Sequence, residues 1–146
     1  MGVRSISLAA AIVLTAACDD VLTTRAPNTG EARQQLQAGG WWPSGIPDSA
    51  TAILEGHDLD TNAQKIIFSV ESEPCRQAAA TMVTSVSTKL GSIPALPLEG
   101  WPAWLSSEVT LDSILQRRGV VAAAERGNLL LMCEDRKGYF WRSEDT

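Results

Sequence analysis

At 146 residues with 45% hydrophobic side chains, the chain has the length of one domain and enough apolar material for one modest core. Its 17 acidic residues outnumber its 12 basic ones and leave a net charge of −5. That balance excludes the broad basic surface on which nucleic-acid binding depends, so no nucleic-acid partner is expected.

The N-terminus reads as a targeting segment. Met1–Ser7 carries one positive charge, Arg4, and Leu8–Ala17 is an unbroken run of apolar or small residues. The run is far short of the roughly 20 residues needed to span a bilayer and suits the apolar region of a secretory signal. It ends Leu14-Thr15-Ala16-Ala17-Cys18, which resembles the lipobox cleaved by the lipoprotein signal peptidase, with Thr15 where leucine is usual. The resemblance implies cleavage after Ala17 and acylation of Cys18. Membrane association would then run through an N-terminal lipid, on the periplasmic face of a bacterial envelope. Asp19 directly behind the cysteine favours the inner membrane by the same resemblance. The plainer alternative is an ordinary signal peptide that leaves Cys18 as a thiol. Residues 18–30 are polar, with Thr, Asn, Pro and Gly, and read as a tether. The organisation expected is therefore signal peptide 1–17, lipidated tether 18–30 and a single domain 31–146.

Elements follow in order. Glu31–Ala38 suits a short helix stopped by Gly39-Gly40. Residues 41–47 (WWPSGIP) cannot be regular structure. Ser49–Leu59 and Gln64–Glu71 are strand-like, with Ile66, Phe68 and Val70 alternating against Ile67, Ser69 and Glu71. Asp60-Thr61-Asn62 supplies turn chemistry between them, so they form a hairpin. Ser72 suits an N-cap and Pro74 a first turn. Cys75, Ala79, Met82, Val83 and Val86 then share one helical face. Gly91–Pro102 is proline-rich and reads as a loop. Leu111, Ile114 and Leu115 suggest a second short helix ending at Gly119, and Val120–Ala124 a strand. Leu129–Glu134 and Tyr139–Ser143 are strands joined by a turn in which Gly138 supplies a positive φ. The pattern is α+β: an antiparallel sheet, hairpin plus C-terminal meander, with one main helix packed on one face. Three cysteines occur, Cys18, Cys75 and Cys133. With Cys18 set aside for lipid, Cys75 and Cys133 remain as a disulfide pair in an oxidising compartment.

Glu31-Ala32-Arg33, Gly40-Trp41 with Pro43, Ile46-Pro47-x-Ser49-Ala50-x-x-Ile53, Asp58-Leu59-Asp60-x-Asn62 and Phe68 form a block over residues 31–70. It resembles one found in small bacterial lipoproteins, some with a YbbD-like head domain. The resemblance implies a compact α+β envelope domain and no particular activity.

For chemistry, His57, Asp58 and Asp60 are the most suggestive run. They could hold a metal or act as acid and base. Successive strand residues point to opposite faces, however, so His57 and Asp58 do not converge on a regular strand. The simpler reading makes Asp60 and Asn62 turn-formers and His57 a surface or hydrogen-bonded strand residue, with no metal site. Neither a Gly-x-Ser-x-Gly elbow nor a placeable carboxylate pair with Glu55 supports a hydrolase. Five tryptophans are many for so small a domain. Trp41 and Trp141 read as core caps, whereas Trp42 and Trp104 are candidate binding residues. The basic cluster Arg117, Arg118, Arg126 and Lys137 reads as a solvated face rather than a phosphate site. The expectation is a non-catalytic envelope lipoprotein that binds an envelope protein or cell-wall component, of which a periplasmic inhibitor or immunity protein is one form, with no catalytic residue and no cofactor. The alternative is a small envelope hydrolase or metal-binding protein using His57, Asp58 and Asp60.

Overall fold

A computed structural model describes residues 20–82, 90, 92–106 and 109–143. The element order is β1 (Val21–Asn28), α1 (Thr29–Leu36), β2 (Thr51–Asp58), β3 (Gln64–Ser69), α2 (Ser72–Thr81), α3 (Leu111–Gln116), β4 (Val120–Ala124), β5 (Gly127–Met132) and β6 (Lys137–Arg142). The strands make one sheet in the order β1-β2-β3-β6-β5-β4. Every pairing is antiparallel. The C-terminal strand β6 lies centrally and joins the β2–β3 hairpin to the β4–β5–β6 meander. The architecture is α+β with an antiparallel sheet, as the hydrophobic pattern requires.

The described part of the expected tether, residues 20–30, is not a tether. Residues 21–28 form β1, an edge strand paired along β2 from Val21↔Asp58 to Asn28↔Thr51. Their polarity misleads because only Ala26 of this strand is fully buried. Helix α1 also begins earlier than its apolar spacing suggests. Asn28 caps it: its Oδ1 accepts from the Glu31 amide at 3.0 Å, and its amide donates back to the Glu31 carboxylate at 3.0 Å. The helix ends at Leu36, with Gln37 as C-cap, two residues before Gly39.

Both faces of the sheet are covered. On one, α1, α2 and residues 46–50 bury Ile53, Ile66, Phe68, Leu129, Leu131 and Phe140. On the other, Leu90, Ile93, Leu105, Val109 and Ile114 of α3 cover Val121, Leu130, Met132, Tyr139 and Trp141. Two-sided cover explains why residues 53–57 and 129–132 are buried consecutively rather than alternately. Lys65 is buried on this second face with its ammonium 4.8 Å from the Trp101 ring centroid. Desolvation there lowers its pKa below the usual lysine value.

Cys75 and Cys133 are disulfide-bonded, with Cα atoms 5.4 Å apart. The bond ties α2 to the end of β5, and Ser72 Oγ donates to the Cys133 carbonyl at 3.0 Å alongside it. Ser72 is thus the first helical residue and Glu71 the N-cap. Cys75, Ala79 and Met82 face the core, while Val83 and Val86 lie outside the described residues.

The role expected of Gly138 is also different. The left-handed residue of the β5–β6 turn is Arg136, with φ 52°. Gly138 lies within β6 opposite Phe68. A Cβ there would fall 2.0 Å from Phe68 Cζ. The glycine is needed for its missing side chain, whose space the phenylalanine ring fills.

Candidate functional site

The sheet's first face carries a polar row at one end. Glu55 and His57 are two residues apart on β2 and so point the same way. Gln64 on β3 lies opposite His57, and Arg142 on β6 lies opposite Gln64. The Glu55 carboxylate is 0% exposed and His57 only 4%. His57 Nδ1 lies 2.8 Å from Glu55 Oε1. Gln64 Nε2 donates to the same oxygen at 2.8 Å and to the Trp41 carbonyl at 2.7 Å. Trp41 closes the group: its ring stacks on the His57 ring at 3.9 Å between centroids, and the Arg142 guanidinium lies 4.4 Å from the indole centroid.

Burial dominates the electrostatics. It raises the Glu55 pKa above the usual carboxylate value, against the lowering effects of Gln64, His57 and Thr24. Burial and the neighbouring Arg126 charge lower the Arg142 pKa, which Glu55 partly offsets. Glu55 Oε2, Gln64 Oε1 and Arg142 Nε are buried without a hydrogen-bond partner. Such groups cost of order 1–3 kcal/mol each and concentrate where a protein keeps polar capacity in reserve.

Arg142 links this buried row to the surface. It lines a cleft of about 210 Å³ with Trp42, Ser44, Glu125, Arg126 and Phe140. A second cleft of about 530 Å³ continues past Trp42 and Ser44 to Arg33 and Gln37. Arg33 is ion-paired to Asp48, and its guanidinium lies 5.6 Å from the Trp42 ring centroid.

The residues singled out from sequence are dispersed. Asp58 Oδ1 accepts from the amides of Asp60 at 2.8 Å and Thr61 at 3.2 Å, so it is Asp58 that caps the hairpin turn. Asn62 supplies the left-handed conformation, with φ 57°, and Asp60 is exposed. His57 is a hydrogen-bonded strand residue deep under Trp41 and is not on the surface. Among the described residues, no group of three His, Cys, Asp or Glu side chains is arranged to hold a metal ion. Trp42 packs at the first face, whereas Trp104 packs at the second against Tyr139, 6.1 Å between centroids. They do not form one aromatic patch. The presumed basic face also divides. Arg118 pairs with Glu134, Arg117 lies over Trp104, Lys137 donates to Ser69 Oγ, and Arg126 joins Arg142 at the cleft. Cys18 lies outside the described residues.

The Glu55–His57 pair was available to sequence reading through its two-residue spacing on a strand. Gln64 was not, because its placement depends on hairpin register. The approach of Arg126 to Arg142 depends on the β5–β6 pairing and has no local signal.

Residues 20–69 match the YbbD head domain family. The match begins eleven residues before the block that starts at Glu31, and it takes in β1, α1, β2 and β3 with Trp41, Glu55, His57 and Gln64. Arg126 and Arg142 fall outside it. No curated protein and no solved structure matches the chain.

Proposed function

We propose that this chain, whose residues 20–69 match the YbbD head domain family, is an envelope lipoprotein precursor and that its α+β domain is a non-catalytic binding module on the periplasmic face of the membrane. A periplasmic inhibitor or immunity protein of an envelope enzyme is the form that best fits a small, disulfide-bonded, anchored domain. The observation that carries the binding reading is the contrast between the two halves of the site. The Glu55–His57 pair is sealed beneath Trp41, while Trp42 lines two adjoining open clefts. Buried carboxylate and imidazole support the floor, and the aromatic and basic side chains meet the solvent. A hydrolase or metal site built on His57, Asp58 and Asp60 is the weaker reading, because Asp58 is committed to its own turn.

Lipidation has a geometric consequence. Val21 already belongs to β1, so only residues 19 and 20 separate Cys18 from the sheet. The three residue steps from Cys18 to Val21 reach at most about 11 Å when extended, which would hold the domain close to the bilayer rather than on a long stalk. The test is expression of wild type and Cys18→Ser with fractionation of the cells, followed by partner capture from solubilised envelopes. Wild type should sediment with membranes and the variant should be released. Membrane retention of Cys18→Ser would refute the lipid anchor. Equal recovery of all proteins by wild type and Trp42→Ala would refute binding through the Trp42 cleft.

A further inference from the structure

The described arginines sort into three groups. Arg25, Arg33, Arg76, Arg118 and Arg136 each have a carboxylate within ion-pair distance. Arg117 lies over Trp104. Arg126 and Arg142 have no ion-pair partner among the described residues, yet they interact with each other and line the same cleft. Two like charges side by side in a net-acidic chain are unfavourable unless something of opposite charge meets them. Glu125 is the one acidic side chain lining this cleft, and the buried Glu55, which acts on Arg142 from beneath, does not line it.

The site is built rather than incidental. Arg142 is held from below by Trp41, and Trp41 in turn by His57 and Gln64. The Arg142 Nε donor is buried and unpartnered. Arg126 occupies the β4–β5 turn in the left-handed region, with φ 60°, where a glycine or asparagine would be less strained. Ser44 adds a hydroxyl and Trp42 an aromatic wall. Guanidinium groups with free donors suit a tetrahedral oxyanion with several acceptor oxygens.

We propose that the Arg126–Arg142 cleft binds a phosphate group, free or esterified. The proposal deepens the binding-module reading by naming the ligand chemistry, and it rests on that reading only for the use of the Trp42 cleft, not for lipidation. The cleft also lies at a telling place. Val21 pairs with Asp58, Gln64 with Arg142, and Asn128 with Trp141. Val21, the first residue of β1, therefore lies at the same end of the sheet as Arg142 and the β4–β5 turn that carries Arg126. Phosphate could reach this end from a lipid headgroup or from solution.

The experiment uses the full chain carrying Cys18→Ser, so that no acyl group contributes, and follows arginine Nε–H and tryptophan indole resonances. Inorganic phosphate is titrated against chloride at matched ionic strength, and vesicles of phosphatidylethanolamine with phosphatidylglycerol are tested by flotation. Saturable shifts at Arg126, Arg142 and Trp42 with phosphate, weakened about tenfold or more by Arg126→Gln, support the proposal with free phosphate as a source. Arg126-dependent flotation without phosphate shifts supports it with the headgroup as the source. Arg126 is exposed, so its replacement does not threaten the fold. Arg142→Lys, which keeps the charge but not the planar donors, should weaken binding as well. Shifts reproduced by chloride, or phosphate shifts and flotation both unchanged in Arg126→Gln, overturn the proposal. A negative result here leaves partner capture through Trp42 to be judged by its own experiment.

Discussion

Gly138→Ala should be among the most destabilising single-methyl additions in this protein. The added Cβ would lie 2.0, 2.2 and 2.7 Å from three atoms of the Phe68 ring. Carbon atoms pack at about 3.5–4.0 Å, so the closest contact must open by about 1.5 Å or more. Phe68 cannot yield easily. It is 0% exposed and shares the core with Ile66, Leu131 and Phe140. Relief must come from the β3–β6 pairing at the centre of the sheet, and overpacking of this kind costs about 3 kcal/mol. The assay is urea unfolding of oxidised wild type, Gly138→Ala, Phe68→Leu and the double variant. Phe68→Leu removes the ring atoms that collide, so the double variant should be more stable than the sum of the singles by more than about 1 kcal/mol. If Gly138 served only to adopt a positive φ, alanine would cost about 1–2 kcal/mol independently of Phe68. Additivity of the two changes within about 0.5 kcal/mol would refute the steric account.

Two further outcomes follow from the same geometry. The disulfide joins residues 58 apart in sequence, and the loop-entropy relation makes its loss worth about 4 kcal/mol. Cys75→Ser with Cys133→Ser should lower the urea midpoint accordingly, and an unchanged midpoint would show that α2 needs no covalent tie. Glu55→Gln should alter the pH dependence of stability. Because the folded pKa of Glu55 lies above its usual value, the folded state holds this proton more tightly than the unfolded state. Its contribution is full below the ordinary pKa of about 4.5 and is lost as pH rises through the folded pKa. Glutamine keeps the acceptor for His57 and Gln64 and removes the desolvated charge. The variant should therefore match wild type at pH 4 and equal or exceed it at pH 8, as read by thermal unfolding. A variant weaker only at high pH would mean that pairing with His57 and Arg142 outweighs burial.

Much of this architecture is written locally. Alternation over Ile66–Val70 selects a strand because a pleated chain exposes every second side chain to one face. Pro74 and the Cys75, Ala79, Met82 spacing select a helix. Asp58 to Asn62 select a turn, although Asp58 takes the capping role assigned to Asp60. The cysteine count, with Cys18 reserved, leaves one pair, and the pair is bonded. The α+β class follows from these elements, since each apolar face must find a partner.

What sequence left open depends on neighbours distant along the chain. The edge strand β1 hides its nature because its polar side chains face solvent while its backbone hydrogen bonds depend on β2. Gly138 resembles a turn residue until Phe68 is placed opposite it. His57 resembles a surface histidine until register sets Gln64 beside it and Trp41 folds over it. The apolar run before Cys18 carries the expectation of export, and length and composition carry that of a single small domain. Only the tertiary structure decides that a buried carboxylate–imidazole pair supports Trp41. The same holds for Arg126 and Arg142, which lie 16 positions apart in sequence. Strand pairing brings their like charges together, and neither the charge balance nor any motif encodes that proximity.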